Sequence, residues 1–201
     1  MRARVVRTLA PFLAAIATVV TISAVAGAHD TDFNDPNDTA GKLDVSRVRL
    51  AHRSAPFSWT VVTFAGWSTE ELWDAGYLMV WLDTRNSVAA EYYLLLRSDG
   101  RAMLGSLWRV QSTGPDSFLG SAPVHRLSGR SVSVSLRLRR LTFGPKRDFF
   151  RWWVVTLFNA CPRTCVDRAP NGTATRQQWL PGRSPTPSPS PSPSPTPSPT
   201  P

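Results

Sequence analysis

The stretch Ser131-Val132-Ser133-Val134-Ser135-Leu136-Arg137-Leu138-Arg139 alternates small polar or charged residues with aliphatic ones. Because successive side chains of a strand point to opposite faces of a sheet, Val132, Val134, Leu136 and Leu138 share one face, and serines and arginines share the other. The pattern predicts a strand with one face on a hydrophobic core and one face in water.

Similar segments recur along the chain and are separated by turn-forming residues. The predicted strands are 43–52, 57–65, 77–84, 90–98, 101–110, 117–127, 131–140 and 149–160. The stretches 77–84 and 149–158 are apolar on both faces, so we expect them to be central or covered strands.

Two local motifs predict a turn and a helix. Ser98-Asp99-Gly100 predicts a hairpin turn. Ser68, with Glu71 three residues later, predicts a capped helix of one or two turns.

Together these segments predict an all-β fold, a two-sheet antiparallel β-sandwich that is jelly-roll-like, with about eight strands and one short helix. The core residues expected from the alternation are Leu43, Val45, Val62, Phe64, Leu78, Val80, Leu82, Leu94, Leu96, Leu104, Val132, Val134, Leu136, Val154 and Phe158.

Both ends of the chain differ from this domain. Residues 1–28 combine Arg2, Arg4 and Arg7 with an uncharged run and a final Ala26-Gly27-Ala28, which predicts a signal peptide cleaved after Ala28. The alternative is a retained membrane anchor; after cleavage we expect no membrane span. We place the sandwich domain at 29–182. From Ser184 onward proline alternates with serine and threonine, which predicts a disordered, extended tail at 183–201.

Charge and cysteines fit an exported chain. The formal net charge is +9, carried mainly by scattered arginines of the kind that a GC-rich bacterial genome produces. A basic exported protein suits anionic envelope polymers or lipid head groups, and we expect no nucleic-acid partner. Cys161 and Cys165, separated by three residues, predict a local disulfide in an oxidising compartment. We therefore expect a secreted or cell-wall-associated protein. The sequence identifies no protein partner.

No catalytic constellation stands out. The three histidines are His29, His52 and His125, and no serine lies in a Gly-x-Ser-x-Gly motif. Asp83 and Glu91 could in principle form a glycosidase carboxylate pair, but nothing in their surroundings distinguishes them. We therefore expect a non-enzymatic protein.

An acidic segment precedes the first predicted strand. Asp32, Asp35, Asp38 and Asp44 lie in an otherwise irregular lead-in, and their carboxylates are hard oxygen ligands of the kind that Ca²⁺ takes. Asp167 would add a ligand if the last strand ends near the first. The alternative is that these residues simply form turns. A structural calcium held by Asp35, Asp38, Asp44 and Asp167 is the metal-site hypothesis.

Aromatic residues suggest a second site. The chain has eight tryptophans, and Tyr77, Trp81, Tyr93 and Trp153 could share one sheet face that stacks against sugar rings. The alternative is a second buried layer of the sandwich.

The chain also resembles a known group of proteins. The segments Asp35-Pro36-Asn37-Asp38-Thr39-Ala40-Gly41-Lys42-Leu43-Asp44-Val45, Leu82-Asp83-Thr84 and Val166-Asp167-Arg168-Ala169-Pro170-Asn171-Gly172 are similar to those of an uncharacterised family of secreted actinobacterial domains. That family is related in turn to DOMON-like and family-9-like carbohydrate-binding β-sandwiches. The resemblance implies a sandwich of ligand-binding ancestry and a structural calcium near the acidic segment.

The favoured hypothesis is an exported, non-catalytic module that binds an extracellular or cell-envelope ligand, with a cell-wall or environmental glycan preferred. A structural or protein-interaction module of the cell surface is the alternative, and an envelope hydrolase ranks last.

Overall fold

The fold is taken from a computed structural model that describes residues 30–52, 56–87, 89–145, 147–161 and 165–181. The predicted signal peptide at 1–28, His29 and the predicted tail at 183–201 lie outside the described residues. Within the described residues, no helix is long and apolar enough to cross a membrane.

Within the described residues, twelve strands, one short α-helix and one 3-10 turn follow one another. The strands are β1 Thr31–Asn34, β2 Val45–Ala51, β3 Phe57–Thr63, β4 Gly76–Asp83, β5 Tyr92–Ser98, β6 Met103–Arg109, β7 Ser117–Ala122, β8 Val124–Ser128, β9 Ser131–Leu136, β10 Phe149–Phe158, β11 Cys165–Ala169 and β12 Arg176–Trp179. The helix α1 spans Thr69–Leu72, and the 3-10 turn spans Leu138–Arg140.

Two antiparallel sheets pack against each other, which confirms the predicted sandwich. The first sheet has the order β1-β2-β3-β9-β8, and the second has the order β11-β10-β4-β5-β6-β7, with β12 also paired to β10. The consecutive strands β3 and β4 lie in different sheets, where they pair with β9 and β10 respectively. Both β4 and β10 are interior strands of the second sheet, as their apolar composition predicts.

The core lies between the sheets and is rich in aromatic rings. Trp59 and Trp152 are fully buried and meet edge to face, with ring centroids 6.3 Å apart. Phe57 and Phe150 pack in the same way at 5.6 Å. The face predicted from β9 is also buried, since Val132, Val134 and Leu136 are each at most 2 % exposed.

Three predicted core residues are wrong. Val62 is only half-buried, and Phe64 and Leu104 are 37 % and 41 % exposed. In β3 the odd-numbered residues, from Phe57 to Thr63, face the core instead. Both faces of β3 carry apolar residues, so the alternation alone did not show which face meets the core. In β6 it is Leu107 that enters the core, because Leu104 lies on the opposite face.

The predicted strand 117–127 is two strands. Pro123 separates β7 from β8, and the two belong to different sheets. Proline cannot donate a backbone hydrogen bond, so a ladder that reaches it must end or change partner. The carbonyl of Pro123 still accepts a bond from the Ser135 N–H at 3.0 Å, within the first sheet.

Other strand boundaries also needed correction. The lead-in is not wholly irregular, since β1 pairs with β2 from Thr31 to Asn34. β9 ends at Leu136, and Leu138 lies in the 3-10 turn. Ser131 and Ser133 are buried rather than in water, and the Ser133 hydroxyl bonds that of Ser58 on β3 at 2.8 Å.

The local turn predictions are confirmed. The Ser68 hydroxyl accepts a bond from the Glu71 N–H, and the Glu71 carboxylate accepts one from the Ser68 N–H, so that α1 begins with a complete capping box. In the β5–β6 hairpin, Gly100 has a φ of +88°, and Asp99 Oδ1 accepts bonds from the N–H groups of Arg101 and Ala102.

Candidate functional site

Three aspartates converge at one edge of the sandwich, and Asp44 lies near enough for its charge to act on Asp35 and Asp167. A carboxylate oxygen from each of Asp35, Asp38 and Asp167 lies within 4.8 Å of the other two. Asp35 directly follows β1, Asp44 directly precedes β2, and Asp167 is the central residue of β11. The pairing of β10 with β11 brings the end of the chain back to its acidic lead-in. These four are the residues that the sequence singled out.

Backbone hydrogen bonds fix the shape of this cluster. The Val45 N–H donates to Asp167 Oδ2 at 2.7 Å, which ties β2 to β11. The Asp35 N–H donates to the Ser46 carbonyl at 3.0 Å. The exposed Asp38 carboxylate accepts a bond from the Asn171 amide, which follows β11. The lead-in and the segment after β11 therefore hold the carboxylates together from two sides.

Two carboxylate oxygens of the cluster are buried without a partner. Asp35 Oδ2 and Asp44 Oδ1 have no hydrogen-bond donor among the described residues, although Asp35 and Asp44 are only 6 % and 3 % exposed. Buried polar atoms are nearly always satisfied, so each of these oxygens requires an explanation. A bound cation is one physical solution, since it satisfies acceptors that no N–H group reaches.

Burial and mutual repulsion favour the protonated form of these acids. Burial, followed by the charges of Asp167, Asp38 and Asp44, raises the pKa of Asp35 to about 7. Burial also raises the pKa of Asp44 and of Asp167, against the backbone N–H bonds that each accepts. The charge of Arg176 lowers the pKa of Asp35, but by less than burial and the neighbouring carboxylates raise it. The site therefore carries more negative charge than the surrounding residues neutralise.

The two cysteines support the acidic loop. The sulfur atoms of Cys161 and Cys165 lie at disulfide distance, with a Cα separation of 6.2 Å, which agrees with the predicted disulfide. Gly41 packs directly on this pair: a Cβ there would lie 2.7 Å from the Cys161 sulfur. Gly41 also has a φ of +111°, a conformation that other residues rarely adopt. The cysteine pair therefore packs against the loop between Asp38 and Asp44.

Asp32 does not join the cluster. It lies on β1, where its carboxylate pairs with Arg47 of β2, and this guanidinium lowers the pKa of Asp32. The pair is exposed and links the two strands at the surface.

An aromatic row crosses the outer face of the second sheet. Its members are direct cross-strand neighbours in the order Trp153 (β10), Trp81 (β4), Tyr93 (β5), Trp108 (β6) and Phe118 (β7). Successive ring centroids are 6.2, 4.9, 6.3 and 5.3 Å apart. None of the five belongs to the core; the first four are half-buried, and Phe118 is 57 % exposed. We call this set the aromatic row.

Polar groups hold the rings of the row in place. The Trp108 indole N–H donates to the Ser106 hydroxyl at 2.8 Å. Burial, with a hydrogen bond to Asp116, raises the pKa of the Tyr93 hydroxyl to about 12. At the other end, the Arg168 guanidinium of β11 lies 4.7 Å from the ring centre of Trp153.

The sequence predicted part of this row. Trp81, Tyr93 and Trp153 are brought together as expected, but Tyr77 is not part of the row. Tyr77 lies on the same face of β4 but four residues before Trp81. Its register partners are Arg97 and Leu157. Trp108 and Phe118 were missed: Trp108 aligns with Tyr93 through the regular register of β5 and β6, and Phe118 aligns with Trp108 only through a register shift between β6 and β7. For Trp108 the available signal was its position next to Leu107, which faces the core and so places Trp108 on the opposite face of β6.

The carboxylates of Asp83 and Glu91 are engaged in turn geometry. Asp83 Oδ1 accepts bonds from the N–H groups of Arg85 and Ser87, each at 3.1 Å. Glu91 accepts bonds from the Thr84 N–H at 2.8 Å and from the Ser87 hydroxyl at 2.7 Å. Both residues therefore organise the loop between β4 and β5.

Comparison of the chain with models of known protein families, with curated proteins and with solved structures gave no match. Function must therefore be inferred from the geometry of the acidic cluster and the aromatic row.

Proposed function

We propose that this protein is an exported, non-catalytic β-sandwich module that binds a polysaccharide along the aromatic row. The observation that carries the proposal is the register of the row: five strands each contribute one aromatic ring at the same level of the sheet. Because neighbouring strands lie about 4.8 Å apart, the row extends for about 19 Å. That is an elongated surface, suited to an extended ligand.

The chemistry of the row favours sugars. The face of a sugar ring carries apolar C–H groups, which pack against aromatic rings, while its hydroxyl groups need hydrogen-bonding partners at the rim. The row offers both kinds of contact, since Arg168 lies at one end and Tyr93 contributes a hydroxyl within it. Cross-strand aromatic pairs also stabilise a sheet, but that role does not require five of them to remain at the surface.

We also propose that the four aspartates hold a structural Ca²⁺. The fit rests on the unpartnered, buried oxygens of Asp35 and Asp44 and on a ligand set made only of hard oxygens. When bound, the ion would offset the repulsion among the carboxylates and join the lead-in to β11. Its effect would be on stability, because the cluster is built from other residues than the aromatic row.

Export remains part of the proposal and rests on the predicted signal peptide at 1–28. The Cys161–Cys165 pair supports it, because such bonds persist mainly in oxidising compartments.

Retention of the full-length chain on a panel of insoluble polysaccharides tests the proposed function. We expect retention on at least one polymer and its loss in Trp81→Ala. Phe64→Ala is the matched control, because it removes an exposed aromatic ring from the other sheet. Equal retention of the wild type and Trp81→Ala, or retention of neither on every polymer, would contradict the proposal.

A further inference from the structure

A polar cleft of about 660 Å³ continues the aromatic row beyond Trp153. Its lining includes the Trp153 ring together with Asp83, Ser87, Arg151, Arg168 and Thr173. A ligand that follows the row from β7 towards β10 would reach this cleft at its end.

The cleft is cationic. Its charged lining residues are Arg151, Arg168 and Asp83. Asp83 is only 3 % exposed, and its Oδ1 already accepts two backbone N–H bonds. Among the described residues, the observed ion pairs involve neither arginine. The two guanidinium groups therefore dominate the charge that a ligand meets there.

Arg168 is held in place and still has hydrogen-bonding capacity. One of its terminal nitrogens donates to the Ala174 carbonyl at 2.9 Å, and its guanidinium lies over the Trp153 ring. Its Nε is buried and has no acceptor among the described residues. Burial lowers the pKa of Arg168, in keeping with a cation that no carboxylate compensates.

We propose that this cleft takes an anionic sugar residue, which packs on Trp153 and places its acidic group between Arg151 and Arg168. This inference rests on the proposed function and names the ligand class for one end of the row. Guanidinium groups suit the task because their planar forks donate paired hydrogen bonds to oxyanions. Ser87 and Thr173 supply hydroxyl groups for the neutral part of the same residue.

Calorimetric titration of the full-length chain with three kinds of hexasaccharide tests the inference. The probes are neutral (cellohexaose and chitohexaose), carboxylate-bearing (a galacturonate hexamer) and sulfate-bearing (a sulfated hexamer of neutral sugars). We expect at least one anionic probe to bind about tenfold more tightly than the neutral ones, the effect of one charge-assisted hydrogen bond. The two anionic probes distinguish a uronic acid from a sulfated sugar.

Arg151→Gln should abolish the preference and leave the affinity for neutral probes unchanged. Arg101→Gln, which removes the same charge from the β5–β6 turn, should preserve the preference. Arg168→Lys keeps the charge but loses the planar fork, so we expect it to reduce the preference for the anionic probe without abolishing it. If Arg151→Gln folds poorly, Arg168→Lys is the variant that tests the cleft.

Two results would overturn the inference. Binding of neutral and anionic probes with equal affinity would remove the assignment of the cleft while leaving the aromatic row intact. Binding of none of the probes, together with no retention on any polysaccharide, would remove the proposed function and this inference with it.

Discussion

Asp35 and Asp167 come from opposite ends of the described chain, yet a carboxylate oxygen of one lies within 4.8 Å of a carboxylate oxygen of the other. Asp35 is 6 % exposed and Asp167 is 3 % exposed. Like charges at this distance, removed from water, repel strongly unless a proton or a cation is added. The pair therefore links the stability of the sandwich to pH and to bound metal.

The metal-free protein should lose stability as the pH rises from about 4 to about 7. The folded-state pKa of Asp35 is raised to about 7 from an ordinary value of 3.8, so between these values the folded chain binds a proton that the unfolded chain has released. Below that window both states are protonated, and above it the folded state bears the full repulsion. Thermal unfolding in chelator across this range measures the fall.

Asp35→Asn is the control for the pH effect. The amide has nearly the same shape and no charge, so the decline should flatten, and the variant should be more stable than the wild type at pH 8 in chelator. A wild-type melting temperature that rises steadily from pH 4 to pH 8 would contradict the assignment.

Calcium should stabilise the folded chain. A ligand that binds only the folded state at a hundred times its Kd adds about 2.7 kcal/mol to the free energy of unfolding. We expect the melting temperature at pH 7.5 to rise with CaCl₂ and to return to its starting value in chelator. Asp38→Asn should weaken this response, because it removes an exposed ligand without disturbing the core.

Asp74→Asn provides the matched control for calcium. Asp74 is exposed and has a φ of 56°, which asparagine tolerates well, so the calcium response should be unchanged. Melting curves that coincide in CaCl₂ and in chelator would show that the aspartates hold no calcium.

Trp152 and Trp153 are consecutive residues with opposite roles. Trp152 is fully buried against Trp59, whereas Trp153 lies in the aromatic row. Trp152→Ala should lower the free energy of unfolding by about 3–5 kcal/mol. Trp153→Ala should cost clearly less stability and remove polysaccharide retention. Urea unfolding of both variants measures the difference, and equal losses of stability would place Trp153 in the core.

Gly105 of β6 is in tight contact with neighbouring residues of β7 and β8. A Cβ there would lie 2.3 Å from a methyl group of Val124 and 2.5 Å from the Ala122 carbonyl, at the corner between β7 and β8. Gly105→Ala should therefore cost about 1–3 kcal/mol through overpacking. Gly129→Ala is the control, since a Cβ at Gly129 would meet no atom within 4 Å. Unfolding midpoints that are equal for the two variants would contradict this packing.

Local patterns predicted much of the fold because the information was local. The alternation of β9, the capping box of Ser68 and the Asp99-Gly100 turn each depend on residues close together in sequence. Asp35, Asp38 and Asp44 were singled out because hard oxygen ligands of the kind that Ca²⁺ takes lie close together in that segment. Their convergence with Asp167 depended on the order of strands, which the sequence did not specify.

Features that depend on how strands pair were missed. β1 is short and polar, and only its ladder with β2 defines it. The core face of β3 could not be chosen locally, because Trp59 and Val61 on one face compete with Val62 and Phe64 on the other. Phe118 joins the aromatic row through a register shift between β6 and β7, which the local sequence does not specify.

The central claim is that the aromatic row binds a polysaccharide, and the dependence of affinity on ligand length tests it most directly. For oligosaccharides of a polymer that retains the protein, we predict that calorimetric affinity rises with chain length until the ligand covers the row of about 19 Å, and then levels off. In Trp81→Ala the affinity should no longer rise with ligand length, because the missing ring interrupts the aromatic row. An affinity that is independent of length, or a Trp81→Ala curve that matches the wild type, would contradict the claim.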